Sequence, residues 1–570
     1  MQSKSLNNLF KIWKFSRTKN KIAFCLISVL SIISAVFESL VILSFVPLIS
    51  SFTSNTSTDF IRVPVFLDFI GGSLNTKTYL ILFILLVILS AILRLLFIYS
   101  ASMNAADLGS SLSTDCYKSI LKRPYIDQIS KDSSKSIEMI TTNVTRAIQV
   151  IISVSVLISS IFLSSTIIYV LLQASWKSTI IIVFSVFSCY YILYSISKGG
   201  LYENGKIVQN YSVKAIAIIK ESIDSIRDII LNNLFKDYLE KFQSVDSELK
   251  KRVAISSFIA QYPRFIIEAV IFIIMSYVAY TLSKSDSTSE ILSLLALVSL
   301  GFIRLIPAIQ QIYTNLSNIK TFSYSLELIN ECLEEDLRKK SEKKSYEEEI
   351  LIKNSLPILR LKNINFTYPL GKSRAISHLS MQIKAGQKIA IVGPSGSGKS
   401  TLLDILLGLL PPDEGEALFY GFNLLSKKIR DKYHRMIAHV PQSPIILNAS
   451  IKENITFTSN YVVMEKLERC INSVMLSDLV KKNGINYICG EDGCNLSGGQ
   501  KQRLAIARAL YAEKEILLLD ECTSSLDQNT ENIVLTNILD LYKDKTVISI
   551  THKLRTLDRY DQVMDMTKLN

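Results

Sequence analysis

Residues 393–400 read GPSGSGKS and fit the pattern G-x-x-x-x-G-K-[ST]. A stretch of this composition holds phosphates. The glycines Gly393, Gly396 and Gly398, with Pro394, Ser395 and Ser397 between them, let backbone N–H groups wrap the phosphate oxygens. Lys399 neutralises charge on the β and γ groups, and Ser400, followed by Thr401, offers an oxygen to Mg²⁺. The loop follows the strand-like KIAIV and opens the apolar, helix-like STLLDILLGLL, a context that a chance glycine turn would lack. A second carboxylate-bearing stretch, ILLLDE at 516–521, supplies the other half of phosphoryl chemistry. Asp520 is suited to hold Mg²⁺ through water, and Glu521 to polarise an attacking water as general base. Many strands end in two surface acids. Here LSGGQ stands a short way upstream at 496–500, which favours the catalytic reading.

These residues need elements to position them, and the chain divides into two kinds of material. Its mean hydropathy of +0.30 is high for a chain with 20% charged residues, so a very apolar half must sit beside an ordinary one. Six apolar runs near 22–51, 78–106, 147–175, 178–197, 254–283 and 290–318 are each long enough to span a bilayer. Residues 1–330 are therefore expected to form an all-α six-helix transmembrane domain. Residues 331–356 mix both charges and form a linker. Residues 357–570, with short apolar runs such as ILLLD and TVISI, are expected to form a soluble α/β domain.

A net charge of +13 admits nucleic acid or a membrane surface as partner. Its distribution excludes the first. Lys4, Lys11, Lys14, Arg17, Lys19 and Lys21 precede the first apolar run with no acid among them, the pattern of a cytoplasmic flank. No aromatic-interleaved basic tract suggests nucleic acid. The first run is too long for a signal peptide and is expected to remain as an anchor. The eight cysteines are scattered without a C-x-x-C pair, which fits a reduced cytosolic side and argues against metal ligation.

The stretch LSGGQKQR resembles the signature of ATP-binding cassette (ABC) proteins. The resemblance covers about 357–565 and implies roles for further residues. Tyr368 in NFTYP matches the aromatic that stacks on adenine, and Gln442 in HVPQ the glutamine that contacts Mg²⁺ and water. Asp527, closing SSLD, matches a dimer-contact loop, and His552 in ITHKL the histidine at the γ-phosphate. Ser497, Gly498, Gly499 and Gln500 open a helix whose N-terminus is an anion site. In this family that helix caps the ATP bound to the opposite copy. One phosphate loop and one signature per chain thus imply two chains closing on two ATP molecules, most simply as a homodimer. ATP and Mg²⁺ are the implied cofactors.

Arg94, Arg264 and Arg304 interrupt the apolar runs. Counting 1.5 Å per residue from the expected outer ends places all three about 21–28 Å deep, at one level. Each could snorkel to inner headgroups, and Arg264 could simply pair with Glu268 four residues on. Three guanidiniums at one level, six in a dimer, suit an anionic headgroup bound bidentately. VFESL…VPLI, YPRFIIEA and FIRLIPA resemble the PglK-type flippases of lipid-linked oligosaccharides. In that family, arginines at these places line a cavity and serve the pyrophosphate. The resemblance implies a flippase in the bacterial inner membrane, with its N-terminus and ATPase domain cytoplasmic. By the same resemblance the 52–77 segment would form a short external helix that engages the polyprenyl tail; the other reading is a connecting loop. Export of a peptide, toxin or other amphiphilic lipid through the same scaffold is the alternative. A non-hydrolysing regulator is disfavoured by the intact Lys399, Gln442, Asp520, Glu521 and His552.

Overall fold

The structure is a computed structural model of the chain. It describes all residues except 1–6, 9, 12, 15–16, 53–75, 131, 175, 283–287, 342–355, 370, 372, 458–460, 553 and 569–570. At some helix positions, Arg304 among them, only the backbone is described. The expected external segment at 52–77 lies almost wholly outside the described residues. The chain separates into two compact units, one of Met1–Arg123 with Asp127–Ser345, the other of Pro124–Ile126 with Tyr346–Asn570.

The first unit is helical. Its long helices are α1 (Thr18–Phe52), α2 (Thr76–Leu121), α3 (Val144–Ala174), α4 (Trp176–Asp224), α5 (Phe235–Leu282) and α6 (Thr288–Thr321). A shorter α7 (Ser323–Ser341) follows. At 1.5 Å per residue, α2, α4 and α5 each run about 70 Å, roughly twice a bilayer's hydrocarbon thickness. The apolar composition accounts for only part of each helix; the polar remainder continues beyond it. Among the described residues, four stretches are long and apolar enough to cross a membrane: Thr18–Ile42, Leu80–Leu121, Ser133–Leu172 and Phe235–Ile273. Val183–Ser197 in α4 is a shorter apolar stretch. Of α6 up to Arg304, only Ile303 has a described side chain.

Ile81, Leu85, Ile88, Ile92 and Leu95 leave one apolar side of α2 exposed, as a helix facing lipid requires. Polar groups within the helices bond locally. Ser31, Ser39 and Ser44 donate to carbonyls three residues back, which satisfies the hydroxyls without a partner helix. α7 continues past residue 330 to Ser341 because Leu326, Ile329 and Leu333 bury one face with Leu108 and Leu112 of α2 and Val150 of α3.

The second unit holds two sheets. One is antiparallel, in the order β2 (Ile376–Ile383), β1 (Leu359–Phe366), β4 (Glu414–Phe419), β5 (Phe422–Asn423). The other is parallel, in the order β6 (Ile437–Val440), β7 (Ile516–Asp520), β8 (Thr546–Ile550), β3 (Lys388–Val392), β9 (Gln562–Asp565). Residues Ile389–Ile391, Leu517–Leu519 and Val547–Ile548 are almost fully buried, as strands covered on both faces must be. The helices used below are α8 (Lys399–Leu406), α9 (Gly498–Ala512) and α10 (Gln528–Leu541).

Candidate nucleotide site

Strand register assembles the first half of the site. Val440 of β6 lies opposite Leu519 of β7, Asp520 opposite Ile550 of β8, and Ile550 opposite Ile391 of β3. Gln442, Glu521, His552 and Gly393 each follow one of these strands closely. All four therefore leave the sheet at its carboxyl edge, where open α/β sheets place their ligands.

Glu521 is the centre of this edge. Gln442 Nε2 donates to its Oε2 at 2.7 Å, and His552 Nε2 lies 2.8 Å from its Oε1. The residue has φ 43°, a left-handed conformation unusual for a side chain of this size. Its N–H donates to the Ile550 carbonyl at 3.1 Å, which anchors that turn. Burial and the neighbouring Glu521 carboxylate push the Asp520 carboxyl upward, while Lys399 pulls it down.

Gly398, at φ 86°, is the left-handed residue that starts α8, and a Cβ there would come within 2.5 Å of the Ala375 carbonyl oxygen. Only glycine fits. Lys399 is buried, and its ammonium donates to the carbonyls of Gly393 (2.9 Å) and Pro394 (2.8 Å). The lysine that would meet phosphate is thus held at the loop by the loop's own backbone. Ser400 is exposed in the first turn of α8. Ser400, Gln442 and Asp520 offer only oxygen donors to a cation. With the Asp520 carboxyl raised by burial and a like charge, these residues fit a Mg²⁺, whose positive charge would oppose that shift.

Tyr368 packs edge-on against Phe366, and its hydroxyl lies 3.2 Å from Thr401 Oγ1. The ring expected to meet a base is therefore tied to the helix that follows the phosphate loop. Sequence reasoning missed this tie, and it also missed Asp404 on α8. Burial first, then Asp520, pushes the Asp404 carboxyl up to about 6.

The signature forms a second group. Ser497 caps α9 by accepting from the Gln500 N–H at 3.3 Å, and Gln500 Oε1 accepts from the Ser497 N–H at 2.8 Å. Gln502 grips the next loop twice, donating to Ser524 Oγ and accepting from the Ser525 N–H, both at 2.9 Å. A Cβ at Gly499 would lie 3.2 Å from the Ser525 carbonyl oxygen and crowd that loop, whereas one at Gly498 would meet Ser525 at ordinary contact distance. Asp527 caps α10 through the Thr530 N–H at 3.0 Å, and this bond holds its carboxyl below the usual range. Signature and SSLD loop are one connected surface.

The membrane arginines are placed differently from a free cationic ring. Arg94 Nη1 donates to Glu38 of α1 at 2.8 Å, and Arg264 Nε to Glu268 at 2.7 Å. Both guanidiniums thus carry a carboxylate partner. The Arg304 side chain lies outside the described residues.

Comparison with known proteins follows the two units. Residues 24–306 match the family "ABC transporter transmembrane region", and residues 376–524 the family "ABC transporter". The chain is 40% identical over 210 residues to the alpha-hemolysin translocation ATP-binding protein HlyB of Escherichia coli O157:H7, covering 36% of this chain and 30% of that protein. It is 38% identical over 208 residues to the glutathione/L-cysteine transport system ATP-binding/permease protein CydC of E. coli K12, covering 36% of each. It spans about a third of the length of the curated relatives it matches. The solved structure of a bacterial Atm1-family ABC exporter with ATP bound superimposes with a TM-score of 0.72 at 18% identity, over 96% of this chain and 93% of that one. That likeness establishes the exporter fold: a helical membrane domain fused to an α/β nucleotide-binding domain.

Proposed function

The chain belongs to the ABC transporters, with membrane and ATPase regions in one polypeptide, and from that premise we propose an ATP-driven exporter that works as a homodimer. Its ATPase residues take the roles the geometry favours. Lys399 binds the β/γ-phosphates, Ser400 and Asp520 hold Mg²⁺, Gln442 touches metal and water, and Tyr368 stacks on adenine. Glu521 polarises the attacking water, and His552 meets the γ-phosphate. Ser497, Gly498 and Gly499 act on the partner's ATP, and Asp527 lies at the contact between copies. The observation that carries this reading is the Glu521 carboxylate, held between Gln442 and His552 at the sheet's carboxyl edge. Glutamine at 521 removes the base and keeps the shape. Glu521→Gln should lower ATP turnover by about 100-fold or more while retaining ATP. Turnover near that of the unmodified chain would remove Glu521 from the chemistry.

The proposed cargo is a polyprenyl-diphosphate-linked glycan, turned toward the outer side of a bacterial inner membrane. Arg94, Arg264 and Arg304 support it through their depth and their resemblance to flippase arginines. The two ion pairs supply a specific reason to weigh a second cargo, a peptide or toxin: an arginine already bonded to carboxylate offers less free charge to a diphosphate. ATPase stimulation in proteoliposomes separates the two. Polyprenyl-diphosphate sugars should stimulate, and peptides should not; the reverse order would replace the glycan by a peptide.

A further inference from the structure

The segment before α1 is neither buried in the bundle nor free of it. Asn330 of α7 donates to the Asn8 carbonyl at 3.0 Å, and both residues are buried. Lys11 pairs with Glu334 of α7 at 2.8 Å. Trp13 packs edge-on against Phe24 at 5.2 Å between ring centroids, and Lys21 Nζ reaches the Lys14 carbonyl at 3.4 Å. These contacts fix one side of the segment. Lys14 and Arg17 are exposed on it, Lys19 is exposed in the first turn of α1, and Phe10 is 69% exposed. The first acid in the chain is Glu38, far into α1. Ile22, Leu26 and Val29, at the start of α1, are exposed apolar side chains of the kind that meets acyl tails.

An exposed aromatic beside Lys14, Arg17 and Lys19, which have no acidic partner among the described residues, has the chemistry of the headgroup layer. The ring enters the boundary between headgroups and tails, and ammonium and guanidinium groups meet phosphate oxygens. We infer that Phe10, Lys11, Lys14, Arg17 and Lys19 form a binding surface for anionic phospholipid headgroups, and that Glu334 competes with those headgroups for Lys11. A lipid phosphate that captures Lys11 releases one of the segment's ties to α7. The surface thereby reports membrane charge to the helix that precedes the ATPase region in sequence.

Trp13 is a built-in reporter, since the chain has only one other tryptophan, Trp176. The full chain with Trp176→Phe is reconstituted in vesicles of phosphatidylcholine and phosphatidylglycerol, with bromine on the acyl chains of one lipid or the other. Brominated phosphatidylglycerol should quench Trp13 more strongly than brominated phosphatidylcholine, and added salt should reduce the difference. Lys11→Gln with Lys14→Gln, which leaves Arg17, Lys19 and Lys21 to hold the topology, should cut the preference roughly fivefold per lysine. The matching Lys→Arg pair should retain it. Glu334→Gln should raise the preference by freeing Lys11, and millimolar inorganic phosphate should not abolish it. Equal quenching by the two lipids, or loss of the preference in free phosphate, overturns the surface. An unchanged preference in Glu334→Gln overturns the competition.

Discussion

At the scale of residues, the phosphate loop and the signature were legible because backbone geometry fixes their spacing. A loop that must present N–H groups and then start a helix needs glycine where φ is positive, and Gly398 is such a place. The tie from Tyr368 to Thr401 was not legible, since it joins residues 33 apart through a hydroxyl pair that no pattern encodes. Tyr368→Ala should weaken ATP binding about tenfold, the loss of one aromatic stack. Tyr368→Phe should keep most of the affinity while loosening the ring, which titration calorimetry can separate. Unchanged affinity in Tyr368→Ala would place the adenine elsewhere.

Asp404 gives a residue-scale prediction in pH. Its carboxyl, raised from 3.8 to about 6, binds a proton more tightly in the fold than in the unfolded chain. Stability therefore falls as pH rises through this window, and the penalty is complete above about 6. In nucleotide-free protein at neutral pH, Asp404→Asn should raise the melting temperature of the ATPase region by about 2–4 °C. The difference should close as pH falls toward the ordinary carboxylate range. Thermal melts across pH check this, and a pH-independent difference would show that burial of the carboxylate is not its cause.

At the scale of elements, apolar length read the helices but not what joins them. α5 packs mainly along α4, and α6 mainly along α3. Between the two pairs lies a polar clasp. Gln310 Nε2 of α6 donates to the Ala260 carbonyl of α5 at 2.9 Å, and Thr314 Oγ1 donates to the same oxygen at 3.2 Å. Tyr190 of α4 donates its hydroxyl to Gln310 Oε1 at 2.9 Å. Pro263 stands one turn from Ala260, and a proline within a helix disturbs the backbone bonds around it. Side chains from the neighbouring helix thus serve a carbonyl beside the break. Gln310→Leu keeps the volume and removes these bonds. It should destabilise the membrane region by about 1–2 kcal/mol, read from denaturation in detergent, with nucleotide affinity unchanged. No measurable loss would mean that apolar packing alone joins the pairs. Pairings of this kind depend on residues far apart in the chain, which is why periodicity cannot find them.

At the scale of the whole molecule, the same contrast governs the arginines. The Arg264–Glu268 pair was readable from its four-residue spacing, whereas Arg94 and Glu38 lie 56 residues apart on different helices. A structural pair and a cargo contact make opposite predictions for a charge swap. Arg94→Glu with Glu38→Arg preserves the pair and moves the guanidinium to α1. Under the proposed diphosphate role, this swap should retain basal ATPase and lose glycan translocation in proteoliposomes. Full translocation would make the pair purely structural. Alanine at Arg94, Arg264 and Arg304 together should likewise spare basal ATPase and impair translocation.

In the proposed dimer each ATP lies between the phosphate loop of one chain and the signature of another. Complementation tests it most directly. Lys399→Ala disables a phosphate loop and Ser497→Arg a signature, so either homodimer has two broken sites. Mixed dimers, isolated by two different tags, regain one complete site. Each variant alone should be nearly inactive, and the mixed dimer should recover ATPase activity. A fully active Ser497→Arg chain, or mixed dimers no more active than their parents, would contradict this arrangement.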